Sequence, residues 1–163
     1  TIYTYFDNKK ELLFSIPKKR LEQFKKEMAG VFDIRDPLRK LRRFIRFQFT
    51  VFLSDRNFLK VFLLDTKLNR EFYASAVYRE FLDYFSVLER IAEEGVEKGV
   101  FRKEINTRLF RNLFIGSLVH LTTRWFILEE TKPIDMMQEI DEVISLLCRS
   151  VVCKEHSIPL TET

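Results

Sequence analysis

Backbone breakers are scarce in this chain, and apolar residues recur at helical spacing over long stretches. Only four Gly and four Pro occur in 163 residues. Between Arg70 and Lys98, apolar side chains fall at Tyr73, Val77, Phe81, Tyr84, Phe85, Leu88 and Ile91, the spacing of one helical face. The few breakers sit where helices would stop or start. Glu97-Lys98-Gly99-Val100 reads as a helix end with Gly at C′. Asp36-Pro37 offers a side-chain cap followed by proline at the first helical position. Strand alternation, internal repeats and low-complexity tracts are missing from the pattern. The chain is expected to be all-α.

The remaining punctuation divides it into helices. Asn8 with Glu11 is a capping-box spacing, so a helix is expected from near Lys9 to near Gly30, carrying Leu12, Leu13, Ile16, Leu21 and Phe24. Pro17 inside it removes one backbone donor and predicts a kink. A second helix runs from Leu38 to about Leu53 with the stripe Leu41, Phe44, Ile45, Gln48 and Phe52. Ser54-Asp55 opens a short one with Phe58, Leu59, Phe62 and Leu63. Residues 70–98 read as one long helix. Asn106 or Thr107 caps the next, which reaches Glu129. Pro133 interrupts, Asp135 with Gln138 resembles another capping box, and the last helix continues to about Cys153.

Composition excludes several functions. Seventeen Phe, five Tyr and one Trp form a large apolar payload. The net charge of +4 suits a nucleic-acid partner without demanding one. No apolar run reaches membrane-spanning length and no signal peptide is visible. Cys148 and Cys153, five apart on one helix, face different ways and read as free thiols in a reducing cytoplasm. His120 and His156 are scattered, so no metal site is expected. Paired carboxylates or a Ser-His-Asp set at useful spacing are not found, which argues against an enzyme, and no cofactor is expected. The runs Lys18-Lys19-Arg20 and Arg39-Lys40-Leu41-Arg42-Arg43 read first as solvated helix faces. Arg39, Arg42, Arg43 and Arg46 share one side, where an anionic group such as a coenzyme A phosphate can dock.

The opening string Thr1-Ile2-Tyr3-Thr4-Tyr5-Phe6-Asp7-Asn8-Lys9-Lys10-Glu11-Leu12-Leu13 carries a specific resemblance. Thr1, Tyr3 and Tyr5 present hydroxyl donors of the kind that reach phosphates and base edges, with Ile2 and Phe6 on the packed side. Lys9 and the amides at the next helix start can hold a phosphate. Taken alone, the first six residues are equally an aromatic turn packed on a helix. The whole string resembles the close of the DNA-binding domain in tetracycline-repressor-like (TetR) regulators. That resemblance implies a helix-turn-helix remnant at 1–8, a ligand-binding and dimerisation domain at 9–156 and a tail at 157–163. It implies DNA contacts from Thr1, Tyr3, Tyr5 and Lys9, and an earlier part of the DNA reader absent from this sequence.

The segments Gly95-Val96-Glu97-Lys98-Gly99-Val100-Phe101-Arg102 and Phe114-Ile115-Gly116-Ser117-Leu118 resemble the same family, in the branch that senses fatty acyl-coenzyme A or other lipophiles. An apolar pocket is then expected among Phe44, Gln48, Phe52, Phe62, Val77, Phe81, Tyr84, Leu88, Phe114, Leu118, Leu121 and Trp125. Gln48, Tyr84, His120 and Thr122 would orient a ligand. The plainer reading of such a stripe is ordinary core. A homodimer face is expected at Gly116, Ser117, Ile140, Val143, Ile144, Leu147 and Val151, unless that face merely closes the monomer core. The partners implied are an operator duplex, an apolar effector (an acyl-CoA or fatty acid) and a second copy. The rival is a lipophile carrier or structural dimer that binds no DNA.

Overall fold

A computed structural model describes residues 9–128 and 133–153. They form helices α1 (Lys9–Glu27), α2 (Pro37–Ser54), α3 (Arg56–Lys60), α4 (Ala76–Phe85), α5 (Val87–Glu97), α6 (Thr107–Phe126) and α7 (Pro133–Val151). Local chemistry sets most of these limits. Asp36 Oδ1 accepts the Arg39 amide at 2.7 Å and Asp55 Oδ1 accepts the Phe58 amide at 2.9 Å. Asn106 Oδ1 does the same for Leu109 at 2.9 Å. Each satisfies a donor that a helix start leaves unpaired. α5 ends as Gly99 takes φ of 71°. The Val100 amide then reaches the Gly95 carbonyl and the Gly99 amide the Val96 carbonyl, the pair of bonds that closes a Schellman stop.

Three boundaries depart from expectation. Residues 70–98 are not one helix. Ser75 is extended (φ −79°, ψ 158°), and its hydroxyl caps α4 by accepting the Tyr78 amide at 3.1 Å. Ahead of it Arg70–Ala74 is a tight 3₁₀ turn. Ser86 then separates α4 from α5, its hydroxyl donating to the Asp83 carbonyl at 2.6 Å. Both serines give the backbone a local alternative that apolar periodicity does not register. α7 begins at Pro133 itself, as proline at a first helical position permits, and Gln138 donates to Glu142 at 3.0 Å. α6 stops at Phe126, short of Glu129. α1, by contrast, runs on through Pro17.

α2 is the central strut. Leu41, Phe44, Ile45, Gln48 and Phe49 on it are wholly inaccessible, because α5, α6 and α7 all pack against it. α1 lies to one side, on α4 and on the turn that follows α3. Phe101 folds back over Gly95 so closely that a Cβ there would sit inside the ring. The same segment is tied to the end of α7, where the Arg102 amide donates to the Val151 carbonyl at 2.9 Å and the Cys153 amide to the Val100 carbonyl at 3.2 Å.

One ionic cluster joins α2 to α5. Lys40 Nζ, almost buried, meets Glu94 Oε2 at 2.5 Å. Lys98 Nζ meets Glu94 Oε1 at 2.6 Å and also donates to the Arg35 carbonyl at 2.9 Å. The Lys40 hydrogen bond first, and then that from Lys98, hold the Glu94 carboxyl below the usual carboxylate range.

Two predictions follow from this packing. Gly95→Ala must displace Phe101, an overpacking change worth about 1–3 kcal/mol, so thermal melting should show a clear drop, and an unchanged midpoint would contradict the contact. Glu94 is depressed in the folded state, so its stabilisation is complete above its unfolded pKa and is lost as pH falls through the folded value. Melts taken downward from pH 7 should therefore lose stability more steeply in the native chain than in Glu94→Gln; parallel curves would count against the cluster.

Candidate ligand-binding site

The stretch between α3 and α4 frames an opening beside the core. After α3 the chain makes a wide π-helical turn at Val61–Thr66, closed by the Lys67 amide donating to the Phe62 carbonyl at 2.7 Å. Such widened turns recur at functional positions. It buries Phe62, Leu63 and Thr66 while leaving Leu64 and Leu68 exposed. The 3₁₀ turn after it places Phe72 inward and Tyr73 at the surface. Tyr73 donates its hydroxyl to the Lys67 carbonyl at 2.9 Å, so Lys67 is held at both its amide and its carbonyl.

Between this stretch, α4 and α6 lies a half-open cavity of about 280 Å³, near the small end of ligand sites. Phe62, Phe72, Tyr73, Tyr78, Phe81 and Leu82 form one wall. Asn112, Ile115, Gly116 and Val119, one stripe of α6, form the other, and Lys67 completes the lining. The walls are aromatic and aliphatic. The ionisable groups among them are the Lys67 ammonium and the phenols of Tyr73 and Tyr78. Burial pushes the Lys67 pKa down, and burial followed by the influence of Tyr78 pushes Tyr73 up.

The residues expected to line a pocket are brought together, but mostly as close-packed core. Phe44 sits between Tyr84 and Phe114, with ring centroids 6.2 and 6.3 Å away. Phe49 bridges Phe114 at 6.3 Å and Trp125 at 6.0 Å. Phe52, Leu88, Leu118 and Leu121 are buried with them, and Val77 is half-buried. Only Phe62 and Phe81 of that set border the open space, which lies one layer outward. Gln48 donates to the Tyr84 hydroxyl at 2.5 Å, and its Oε1 is buried with no hydrogen-bond partner among the described residues. Burial is the main reason the Tyr84 phenol is raised above its ordinary range. Thr122 donates to its own helix at Leu118, and His120 is exposed.

The other candidate positions fall as follows. Thr1, Tyr3 and Tyr5 lie outside the described residues, and Lys9 is the exposed first residue of α1. Ile140, Ile144 and Val151 are buried within the single chain, while Val143 and Leu147 are half-buried against the same core. Gly116 is exposed and Ser117 partly so. The outward apolar residues on these two helices are instead Leu109 and Leu113 on α6 and Met137 and Leu146 on α7. Arg39, Arg42, Arg43 and Arg46 are all exposed, Arg46 paired with Asp141 of α7. Burial pushes the Cys148 thiol up to about 11, against the opposing influence of the nearby Arg42 guanidinium. Both cysteines are free. Among the described residues no helix is long and apolar enough to cross a membrane, and no group of three or more His, Cys, Asp or Glu is placed to hold a metal ion.

Sequence reasoning missed Lys67, Phe72, Tyr73, Tyr78 and Asn112. On α6 the sequence pointed to the stripe Phe114, Leu118, Leu121 and Trp125 rather than to Asn112, Ile115, Gly116 and Val119, and the π turn that aims Phe62 and Lys67 leaves no periodic trace.

Comparison with known proteins agrees with this architecture. The fatty acid metabolism regulator protein of Bacillus subtilis (strain 168) is 26% identical over 154 residues, covering 93% of this chain and 77% of the relative. The transcriptional regulator FadR from Bacillus subtilis, solved in complex with stearoyl-CoA, superposes with a TM-score of 0.79 at 26% identity, covering 90% of this chain and 78% of that one. The fatty acid degradation regulator FadR from Bacillus halodurans gives 0.78 at 26% identity with the same coverage. Residues 17–150 match the family described as YsiA-like protein, C-terminal region. The chain therefore belongs to the TetR family of transcription regulators, in the group defined by the YsiA-like C-terminal region.

Proposed function

We propose that this chain is the effector-binding and dimerising body of a ligand-responsive DNA-binding regulator, with residues 1–8 closing its DNA-reading head. Its effector is a fatty acyl group, carried as a coenzyme A thioester or as the free acid. The chain acts by binding in the cytoplasm and performs no turnover. One observation carries the reading: the walls of the open cavity are the same side chains on which α1 rests. Phe72 lines the cavity and also meets Phe14 of α1 edge-on at 5.7 Å. Phe62 lines it and stacks on Phe58 at 5.7 Å, and Phe58 in turn meets Phe24 of α1 at 6.3 Å. The relatives named above support the acyl ligand, since one of them was solved with stearoyl-CoA.

The two aromatic contacts straddle Pro17. A ligand entering the cavity presses on Phe62 and Phe72 and shifts the two halves of α1 unequally, with the bend falling where the Leu13 carbonyl lacks its usual helical donor. The DNA-reading segment is continuous with the N-terminal end of α1, so it moves too. In a dimer reading two half-sites, that displacement changes the spacing between heads. Ligand binding and DNA binding then oppose each other as a shift between two populations. The second copy seats on the outward apolar residues of α6 and α7, giving a four-helix bundle across the two-fold axis.

The test is a mobility-shift titration of the protein carrying its complete reading head. Operator binding should weaken steeply with salt, as phosphate contacts do, and acyl-CoA should release it. Phe14→Leu keeps the cavity lining but removes the ring contact. It should leave acyl-CoA affinity within about threefold while cutting the ligand-driven loss of DNA affinity about tenfold, within the usual range of coupling energies. No binding to any duplex at any ionic strength would favour a carrier, and undiminished release in Phe14→Leu would dismiss the aromatic relay.

A further inference from the structure

We propose that Lys67 is the charge-reading residue of the cavity, pairing with the anionic group of an amphiphile whose apolar chain lies against the aromatic wall. The inference rests on the reading of that cavity as the effector site and adds the side chain that reads the charge of its ligand. Lys67 is half-buried and lines the cavity. Its main chain is pinned on both sides, by the amide bond to Phe62 and by the Tyr73 hydroxyl on its carbonyl. The ammonium therefore projects from a fixed base. Among the described residues it has no ion-pair partner, whereas Lys40, Arg46, Lys98 and Arg111 each have a carboxylate. No acidic side chain lines the cavity, and the opposite wall offers only the neutral amide of Asn112.

A half-buried ammonium is less well hydrated than a free one, so a nearby anion stabilises it more than it would at the open surface. A neutral apolar guest would cover it and worsen its position, and a cationic guest would be repelled. A guest with one acid group on an apolar body relieves it, in a recess where screening is weaker than at the surface. Two sources supply that chemistry, the carboxylate of a free fatty acid and a phosphate of its coenzyme A thioester. A cavity of about 280 Å³ is small for a ligand site, so a medium-length chain is the apt probe.

Titration calorimetry on the whole protein compares decanoate, decanol and decanoyl-CoA, with the native chain, Lys67→Met and Lys67→Arg. Lys67→Met keeps most of the apolar stem and removes the charge. Native protein should bind decanoate at least about tenfold tighter than decanol, the scale of a charge-assisted hydrogen bond. Lys67→Met should lose that preference while holding decanol unchanged, and Lys67→Arg should restore most of it. Loss confined to decanoate assigns the carboxylate, and loss confined to decanoyl-CoA assigns the phosphate; either supports the pairing. Equal binding of acid and alcohol by the native chain, with decanoyl-CoA held undiminished by Lys67→Met, overturns it while leaving the cavity reading intact, as does undiminished binding of both anionic probes by Lys67→Met. Failure of all three probes to bind overturns the cavity reading and this inference together.

Discussion

Burial of the broad aromatic face of α2 is the constraint from which the rest of the architecture follows. Its phenylalanines are too large and too numerous for one neighbour to cover. α5, α6 and α7 all pack against it, and each brings its own rings or aliphatic side chains into the gap. On that buried face polar groups are few, and each is paired or nearly so. Lys40 escapes to Glu94 at the edge, and Gln48 turns to Tyr84 in the middle. The aromatic stripes converge at the centre as rings in mutual contact, and of the residues expected to line a pocket only Phe62 and Phe81 border the cavity.

The opening lies where regular helix gives out. A π turn, an irregular link and a 3₁₀ turn connect α3 to α4, and these cannot close flush on α6. The same segment is the seat of α1. One layer of rings, Phe62 and Phe72 with Phe58 behind, separates the cavity from α1; in the proposed reading, recognition and response are therefore neighbours rather than distant sites joined by a long path. Coupling through packed, discretely arranged side chains of this kind needs no large motion at the ligand.

Much of this was legible in the sequence, for identifiable reasons. Caps such as Asp36, Asp55 and Asn106 and the stop at Gly99 are local chemistry, and they acted where they stood. The long apolar period from Tyr73 to Ile91 was real as a pattern of burial but not as a single helix, because Ser75 and Ser86 form side-chain bonds that compete with the ladder. The expected pocket residues share a neighbourhood, yet periodicity cannot separate side chains that fill a core from those that border a void. That distinction arises from tertiary fit, and so Lys67, Tyr78 and Asn112 gave no signal. The apolar face of α7 was ambiguous from the start. Ile140, Ile144 and Val151 close the monomer core, and the outward residues Met137 and Leu146 carry the proposed dimer contact.

The central claim is that filling the cavity moves α1. Pulsed electron-electron distance measurement between spin labels at position 9 of the two subunits addresses it directly, since that exposed site begins the helix and reports the separation of the heads. A shift in the distance distribution on adding acyl-CoA, abolished by Phe14→Leu, is the result this account predicts. An identical distribution with and without a bound ligand would contradict it.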